Sequence, residues 1–306
     1  MTASYDTTPL SNAGHIPLLK GLSDVAHRYD GFILDLFGVV HNGIEPYPGV
    51  LECLAKIKDS GKKTVLLSNT PKLSHNSKHD LDSMGVTTDY YDHLITAGDA
   101  AHHALKSRCD DFHTGCGADC WFLGPERIYH VLEGLNLDLV DHPEKASFIF
   151  NAMPGTDGSA YQDDQIKDGF RQAVKQDLPM VCSNPDLVVH IGDELHYCAG
   201  TYAKMYEEMG GRVAYHGKPY ATVYEMAREK LNLSDKSKIC AMGDSLHTDI
   251  QGARNFGIDS VFNLIGIHRE EVLGENDEAD VDMEKVMLVL DNHPHKPKAV
   301  MAGLVW

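Results

Sequence analysis

The sequence predicts an α/β protein built on a parallel sheet, and two observations carry that prediction. Short apolar runs rich in β-branched residues recur at residues 31–34, 64–67, 147–150, 180–182 and 239–242. Strands buried on both faces look like this, because helices cover each side of a parallel sheet. Between the runs lie stretches with apolar residues at helical spacing. Strands alternating with helices define the α/β class.

The elements follow in order. Residues 1–12 are polar and Ser/Thr-rich, so residues 1–16 are expected to form a flexible lead. The lead lacks the basic start and apolar core of a signal peptide. After the strand at 31–34, residues 48–60 place Val50, Leu51, Leu54 and Ile57 on one helical stripe. Pro48 stands near its start and Gly61 at its stop. Residues 165–175, 201–209, 220–231 and 249–256 also have helical spacing. No internal repeat or low-complexity tract occurs. Residues with chemical content cluster at 35–70 and 218–249, and the long insert between has its own strand and helix signals. It is a candidate second domain folded into the first. The expected division is a discontinuous core, 17–100 and 214–306, and an insert, 101–213. Linkers are expected near 97–101 and 210–215.

Composition narrows the function. The chain has 306 residues, 45 acidic against 27 basic, and a net charge of -18. A broad nucleic-acid surface needs the opposite balance, so no nucleic-acid partner is expected. A small anionic ligand remains compatible, since a local cation reverses the sign inside a pocket. No run approaches the ~20 apolar residues of a membrane span. Seven cysteines, an odd number, fit free thiols in a reducing cytoplasm better than a disulfide framework. Cys109, Cys116 and Cys120 with His113 form the tightest group. Their spacing matches no common zinc pattern, so free thiols are the expectation.

Four segments carry chemistry. In Asp35-Leu36-Phe37-Gly38-Val39 an apolar run ends in an aspartate, at the strand edge where open α/β sheets bind ligands. A carboxylate there can attack phosphorus; alone, it is more often a turn or helix cap. In Leu66-Leu67-Ser68-Asn69-Thr70 a second strand ends in a hydroxyl that can donate to a phosphoryl oxygen; alone, it is a helix cap. In His216-Gly217-Lys218-Pro219 a lysine between Gly and Pro is held in place, where its ammonium can neutralise phosphate; the alternative is an exposed loop lysine. In Met242-Gly243-Asp244 through Asp249 two carboxylates can share a hard divalent cation; Asp249 is otherwise a helix-dipole residue.

Together and in this order, these segments resemble the haloacid dehalogenase (HAD) superfamily, specifically its NagD-like class IIA branch. His41-Asn42-Gly43, Pro48-Gly49 and Ser183-Asn184-Pro185-Asp186 add to the likeness, which spans about residues 20–275. The resemblance implies a Rossmann-like parallel-sheet core with an inserted α/β C2-type cap domain. It implies Asp35 as nucleophile and metal ligand, the Phe37 backbone carbonyl and Asp244 as further ligands, and Asp249 supporting the metal. Ser68 and Lys218 are implied as catalytic groups binding the phosphoryl group. Asn69, Thr70, Asn184 and Asp186 are implied near the substrate, the last two in a positioning role. Mg2+ is the implied cofactor, a small phosphorylated metabolite the substrate, and a homodimer through the cap the assembly.

Phe37 departs from the pattern. Most phosphatases of the superfamily carry a second aspartate there, whose carboxyl protonates the leaving group and whose carbonyl binds the metal. Phe37 keeps the carbonyl and lacks the carboxyl, a loss of about 10²–10⁴ in rate. The expectation is Mg2+-dependent hydrolysis of a small phosphomonoester through an aspartyl-phosphate on Asp35. His41 is the first candidate for a replacement proton donor, although a structural hydrogen-bonding histidine is the favoured reading of it. The alternative is a weak or inactive relative that binds a phosphorylated ligand. Dehalogenases also carry an aromatic residue here, but Ser68, Lys218, Asp244 and Asp249 argue for a phosphoryl ligand. Phosphonoacetaldehyde hydrolases need a Schiff-base lysine that is not identifiable here.

Overall fold

The computed structural model describes residues 16–108, 110–153, 164–191, 194–273 and 281–306. All but the last residue of the expected lead, and Cys109, lie outside this set. The first sheet takes β1 (Leu18–Leu19), β2 (Gly31–Asp35), β3 (Lys63–Ser68) and β4 (His93–Thr96) from the first part of the chain. The second sheet is built from β5 (Asp119–Leu123), β6 (Asp138–Val140), β7 (Phe148–Asn151), β8 (Pro179–Cys182) and β11 (Arg212–Tyr215), with a hairpin of β9 (Val188–Ile191) and β10 (Glu194–Tyr197) beside it. The chain then returns to the first sheet as β12 (Ile239–Gly243), β13 (Asp259–Asn263) and β14 (Ala299–Met301).

The first sheet has seven strands in the order β1-β14-β13-β12-β2-β3-β4, and the second has five in the order β11-β8-β7-β5-β6. Every pairing within the two sheets is parallel. All five residues of β2 are buried. Successive side chains alternate between faces, so Phe32 and Leu34 join one core cluster and Ile33 the other. Phe32 and Leu34 meet α1 (Ser23–Ala26), α2 (Val50–Asp59) and α3 (Ser74–Ser83) through Val25, Leu54, Ile57 and Leu81.

Helix α4 (Ala97–Ser107) follows β4, and α5 (Asp111–Thr114) follows α4. In the second sheet α6 (Asp164–Lys175) and α7 (Ala199–Glu208) pack through Phe170 and Tyr206. Helices α8 (Ala221–Leu231) and α9 (Gln251–Phe256) bring Tyr224 and Phe256 to the Ile33 face. Finally, α10 (Arg269–Leu273) and α11 (Met283–Asp291) cover Phe262 and Val300 through Val272 and Leu290. The stretch after residue 280, which carries no readable pattern, therefore supplies a helix and a core strand. Among the described residues no helix is long and apolar enough to cross a membrane.

The stretches expected as linkers are structured. Residues 97–101 open α4, whose start is fixed by a capping box between Thr96 and Asp99. A Cβ on Gly98 would lie 2.4 Å from the Pro71 and Lys72 carbonyl oxygens, so only glycine lets α4 pack so closely. Ala100 packs with the first sheet, and Ala101 and Leu105 with the second. Residues 212–215 form β11, at the edge of the second sheet, beside β8.

Candidate active site

The first sheet reverses direction between β12 and β2. Strands β2, β3 and β4 run one way along the strand order, and β12, β13 and β14 the other. Ligands bind at such a switch point, beyond the carboxyl ends of the strands. Asp35 ends β2, Ser68 ends β3, and Asp244 follows β12 directly. The three ends lie level, because Leu34 pairs with Met242 and Asp35 with Leu67. Asp249 lies in the π turn Leu246–Ile250 ahead of α9, held by the Ser245 cap below it. The Tyr224 hydroxyl donates to the Asp249 carbonyl at 3.2 Å from α8.

These elements assemble one charged cluster. Asp35, Asp244 and Asp249 each offer an oxygen within 4.8 Å of the others. Lys218 enters from the segment after β11, and its Nζ donates to Asp35 Oδ1 at 2.5 Å and Asp249 Oδ1 at 2.8 Å. All four residues are buried. Burial raises Asp35 against the opposing pull of Lys218. Burial, then Asp35 and Asp249, push Asp244 well above the usual carboxylate range. Burial raises Asp249 to about 6. Burial works against the Lys218 ammonium too, but Asp249 and Asp35 outweigh it and hold Lys218 well above the ordinary lysine value.

Three carboxylates thus face one ammonium, a shortfall of positive charge whose mutual repulsion adds to the effect of burial on Asp244. A divalent cation with oxygen ligands fits that shortfall. The backbone is shaped around the same carboxylates. A Cβ on Gly38 would fall 2.0 Å from Asp244 Oδ2, and one on Gly266 1.9 Å from it. One on Gly243 would fall 2.0 Å from Asp249 Cγ. Gly38 also adopts φ 83°, the left-handed region. The Ile267 N–H donates to Asp244 Oδ2 at 2.7 Å and the Ser245 N–H to Asp249 Oδ2 at 3.3 Å. The Asn263 amide, at the end of β13, donates to the Gly38 carbonyl at 2.6 Å and pins the loop after Asp35.

In that loop the Leu36, Val40 and His41 carbonyls accept the backbone hydrogen bonds. Among the described residues none falls on the Phe37 carbonyl, which leaves it available as a ligand. The Phe37 ring turns onto Gly43, where a Cβ would meet it at 2.8 Å, and stands edge-on to His41 at 5.7 Å between centroids. His41 is buried, and its Nδ1 accepts the Gly43 N–H at 3.0 Å. Burial lowers its pKa to about 4. A neutral imidazole braced this way fits the structural hydrogen-bonding role favoured for His41 over that of proton donor.

The remaining sequence-derived residues divide. Asn69 is central: its Oδ1 accepts the Lys218 N–H at 2.7 Å, and its Nδ2 donates to the Lys218 carbonyl at 3.1 Å and to Asp186 Oδ1 at 2.8 Å. One amide therefore clamps Lys218 from both sides and ties it to the loop after β8. Asn184 shapes that loop by accepting the Asp186 N–H at 3.1 Å. Ser68 Oγ accepts the Thr70 N–H at 3.2 Å. Thr70 is a turn residue: its carbonyl takes the Gly98 N–H at 3.1 Å and its hydroxyl the Lys72 N–H at 3.5 Å. Cys116 and Cys120 are buried free thiols. His113, once weighed with them for zinc, instead bonds Asp110 at 2.7 Å and His216 at 3.0 Å.

Sequence reasoning missed Asn263, Gly266 and Tyr224. Asn263 had a signal, since it ends an apolar strand in a polar side chain as Asp35 does. Gly266 and Tyr224 had none, because their partners lie far along the chain.

Comparison with known proteins finds two matching families, one toward each end of the chain. The family described as "Haloacid dehalogenase-like hydrolase" matches residues 32–138 and that described as "HAD-hyrolase-like" matches residues 215–287. The 5'-nucleotidase YutF of Bacillus subtilis is 23% identical over 266 residues, covering 86% of this chain and 96% of the relative. The 4-nitrophenylphosphatase of Schizosaccharomyces pombe is 22% identical over 301 residues, covering 84% and 91%. A crystal structure of a haloacid dehalogenase-like hydrolase from Brucella suis superposes with a TM-score of 0.76 at 27% identity, covering 94% of this chain and all of that one.

Proposed function

The chain belongs to the haloacid dehalogenase-like hydrolases, in their NagD-like class, and from that premise we propose that it hydrolyses a small phosphomonoester with Mg2+. The observation that carries the reading is the buried cluster of Asp35, Asp244, Asp249 and Lys218 at the switch point of the first sheet. Relatives named for nucleotide and nitrophenyl phosphate hydrolysis support it. Asp35, Asp244, Asp249 and the Phe37 carbonyl would hold Mg2+, which supplies positive charge for the phosphoryl oxygens and for the crowded carboxylates.

The chain's own residues do the rest. Asp35 is the nucleophile, and its carboxylate forms an aspartyl-phosphate. The Lys218 ammonium binds the phosphoryl group and balances the charge it brings. Ser68 contacts the same group from the adjacent strand end. Asn69 keeps Lys218 in register by holding its backbone on both sides. The five-stranded sheet serves as the cap, with its Asn184–Asp186 loop reaching the phosphoryl centre through Asn69. A homodimer formed through that cap is a further proposal, tested by light scattering.

Phe37 favours a second reading, a protein that binds a phosphorylated ligand without turning it over. Purified protein with Mg2+ is assayed on 4-nitrophenyl phosphate and on sugar, nucleotide and acyl phosphates. The hydrolase reading expects turnover that Asp35→Asn abolishes. Phosphate and Mg2+ binding without turnover on any compound supports the binding protein instead.

A further inference from the structure

Phe37 has no proton to give a departing oxygen, and His41 is braced and neutral. A carboxyl from the second sheet stands beside the site instead. Asp186 follows β8, and its Oδ1 accepts from the Asn69 amide that also clamps Lys218. Its backbone is fixed as well, because its N–H donates to Asn184 Oδ1 at 3.1 Å and its carbonyl accepts the Gly200 N–H at 3.1 Å. Among the described residues Oδ2 has no hydrogen-bond partner, and Asp186 as a residue is half-buried. One oxygen is anchored and the other is unbonded.

The groups that face Asp186 are Lys218, Asp35 and Asp249 in the cluster, and the thiols of Cys182 and Cys198 below. Burial raises its carboxyl pKa above the usual range, against Lys218 and Asn69. Asp186 bonds none of the three clustered carboxylates. An acid with a raised pKa, fixed orientation and one free oxygen has the properties that general acid–base catalysis requires.

We propose that Asp186 is the general acid–base of this site, replacing the carboxyl that Phe37 lacks. The assignment rests on the phosphomonoesterase reading above. In the first step an Asp35 oxygen bonds to phosphorus and the bond from phosphorus to the leaving oxygen breaks. That electron pair stays on the leaving oxygen, which takes the Asp186 proton and departs as the alcohol. In the second step the Asp186 carboxylate takes a proton from water as the water oxygen bonds to phosphorus. The bond to Asp35 breaks, its electron pair returns to the Asp35 carboxylate, and inorganic phosphate leaves. Asp186 ends protonated, as it began.

The test compares wild type, Asp186→Asn and Asp35→Asn, with Mg2+, on aryl phosphates from 4-nitrophenyl to 4-methoxyphenyl. These differ in leaving-group acidity and little in shape, and kcat/KM reports the step in which that group departs. Asp186→Asn keeps an acceptor for Asn69, so the clamp on Lys218 survives. The expected loss is about 10²–10⁴ in kcat/KM for the poorest leaving group, and within about tenfold for 4-nitrophenyl phosphate. The alkaline fall of wild-type kcat/KM on poor leaving groups should also disappear in Asp186→Asn. An equal loss on every substrate would reduce Asp186 to a positioning residue and overturn the proposal. A wild type that cleaves only 4-nitrophenyl phosphate would overturn it as well. Absent turnover in wild type, or turnover surviving Asp35→Asn, defeats the underlying phosphatase reading and the proposal with it.

Discussion

Lys218→Met removes the ammonium that pairs with Asp35 and Asp249 beside Asp244. The side chains that lose it, Asp35 and Asp249, are 9% and 5% exposed, so water cannot take its place. Two charge-assisted hydrogen bonds of 2.5 and 2.8 Å disappear, each worth about 1.5–3 kcal/mol. Breaking a buried pair from one side costs about 3–5 kcal/mol, which agrees with that sum. The loss depends on pH, with a defined sign. Lys218 lowers the pKa of Asp35 and Asp249, so removing it raises both further above their unfolded value. A carboxyl with a raised folded pKa contributes stability that is complete below the unfolded value of about 4 and lost as pH rises through the folded value. The wild type shares that loss up to its own folded values, so for Asp249 the variant's deficit grows as pH rises through and above about 6. Urea unfolding in EDTA, at one pH below and one above that value, measures it. A deficit under about 1 kcal/mol, typical of an exposed pair, or one equal at both pH values, would refute the reasoning.

Further outcomes follow from the same geometry. Gly266→Ala places a Cβ 1.9 Å from Asp244 Oδ2; it should cost about 1–3 kcal/mol of stability by overpacking. It should also raise the Mg2+ concentration needed for half-maximal activity at least about tenfold by displacing a hard-cation ligand, which Mg2+ titration reads directly. Mg2+ should raise the melting temperature of the wild type more above pH 6 than below it, since Asp249 titrates at about 6 and only the carboxylate binds the cation; an equal shift at both pH values contradicts the assignment. Cys53, Cys116, Cys120, Cys182, Cys198 and Cys240 are buried free thiols, and burial pushes Cys182 up to about 12. They should resist a disulfide reagent until guanidinium unfolds the chain, and rapid reaction of several of them in the native protein contradicts this packing.

Much of the site was legible because its chemistry lies at strand ends. Asp35, Ser68 and Asp244 each close an apolar run, and a short window contains both the strand and the group it presents. Asn69 and Asp186 could be named but not connected, since 117 residues separate the amide from the carboxyl and 149 separate it from Lys218. No local pattern encodes such a clamp. The same limit hid Gly266, whose missing Cβ matters only because Asp244 arrives from another strand. In the fold, β14 escaped because it has only three residues, and β11 because its half-exposed Arg-Val-Ala-Tyr at the sheet edge makes no apolar run. Residues 97–101 read as a linker for a different reason: Gly98 and the alanines of α4 have low apolar contrast, although their small size is what lets the helix pack on both sheets. His41 stayed open between two roles because a histidine beside a nucleophile suggests proton transfer, whereas its burial and its bond from Gly43 depend on the folded loop.

The central claim is that Asp35 carries the phosphoryl group. Protein mixed with Mg2+ and 4-nitrophenyl phosphate, quenched in acid and digested, should contain a peptide with Asp35 heavier by one phosphoryl group. That adduct should be absent from Asp35→Asn. Turnover in which phosphate never appears on Asp35, or appears on another residue, would contradict the account.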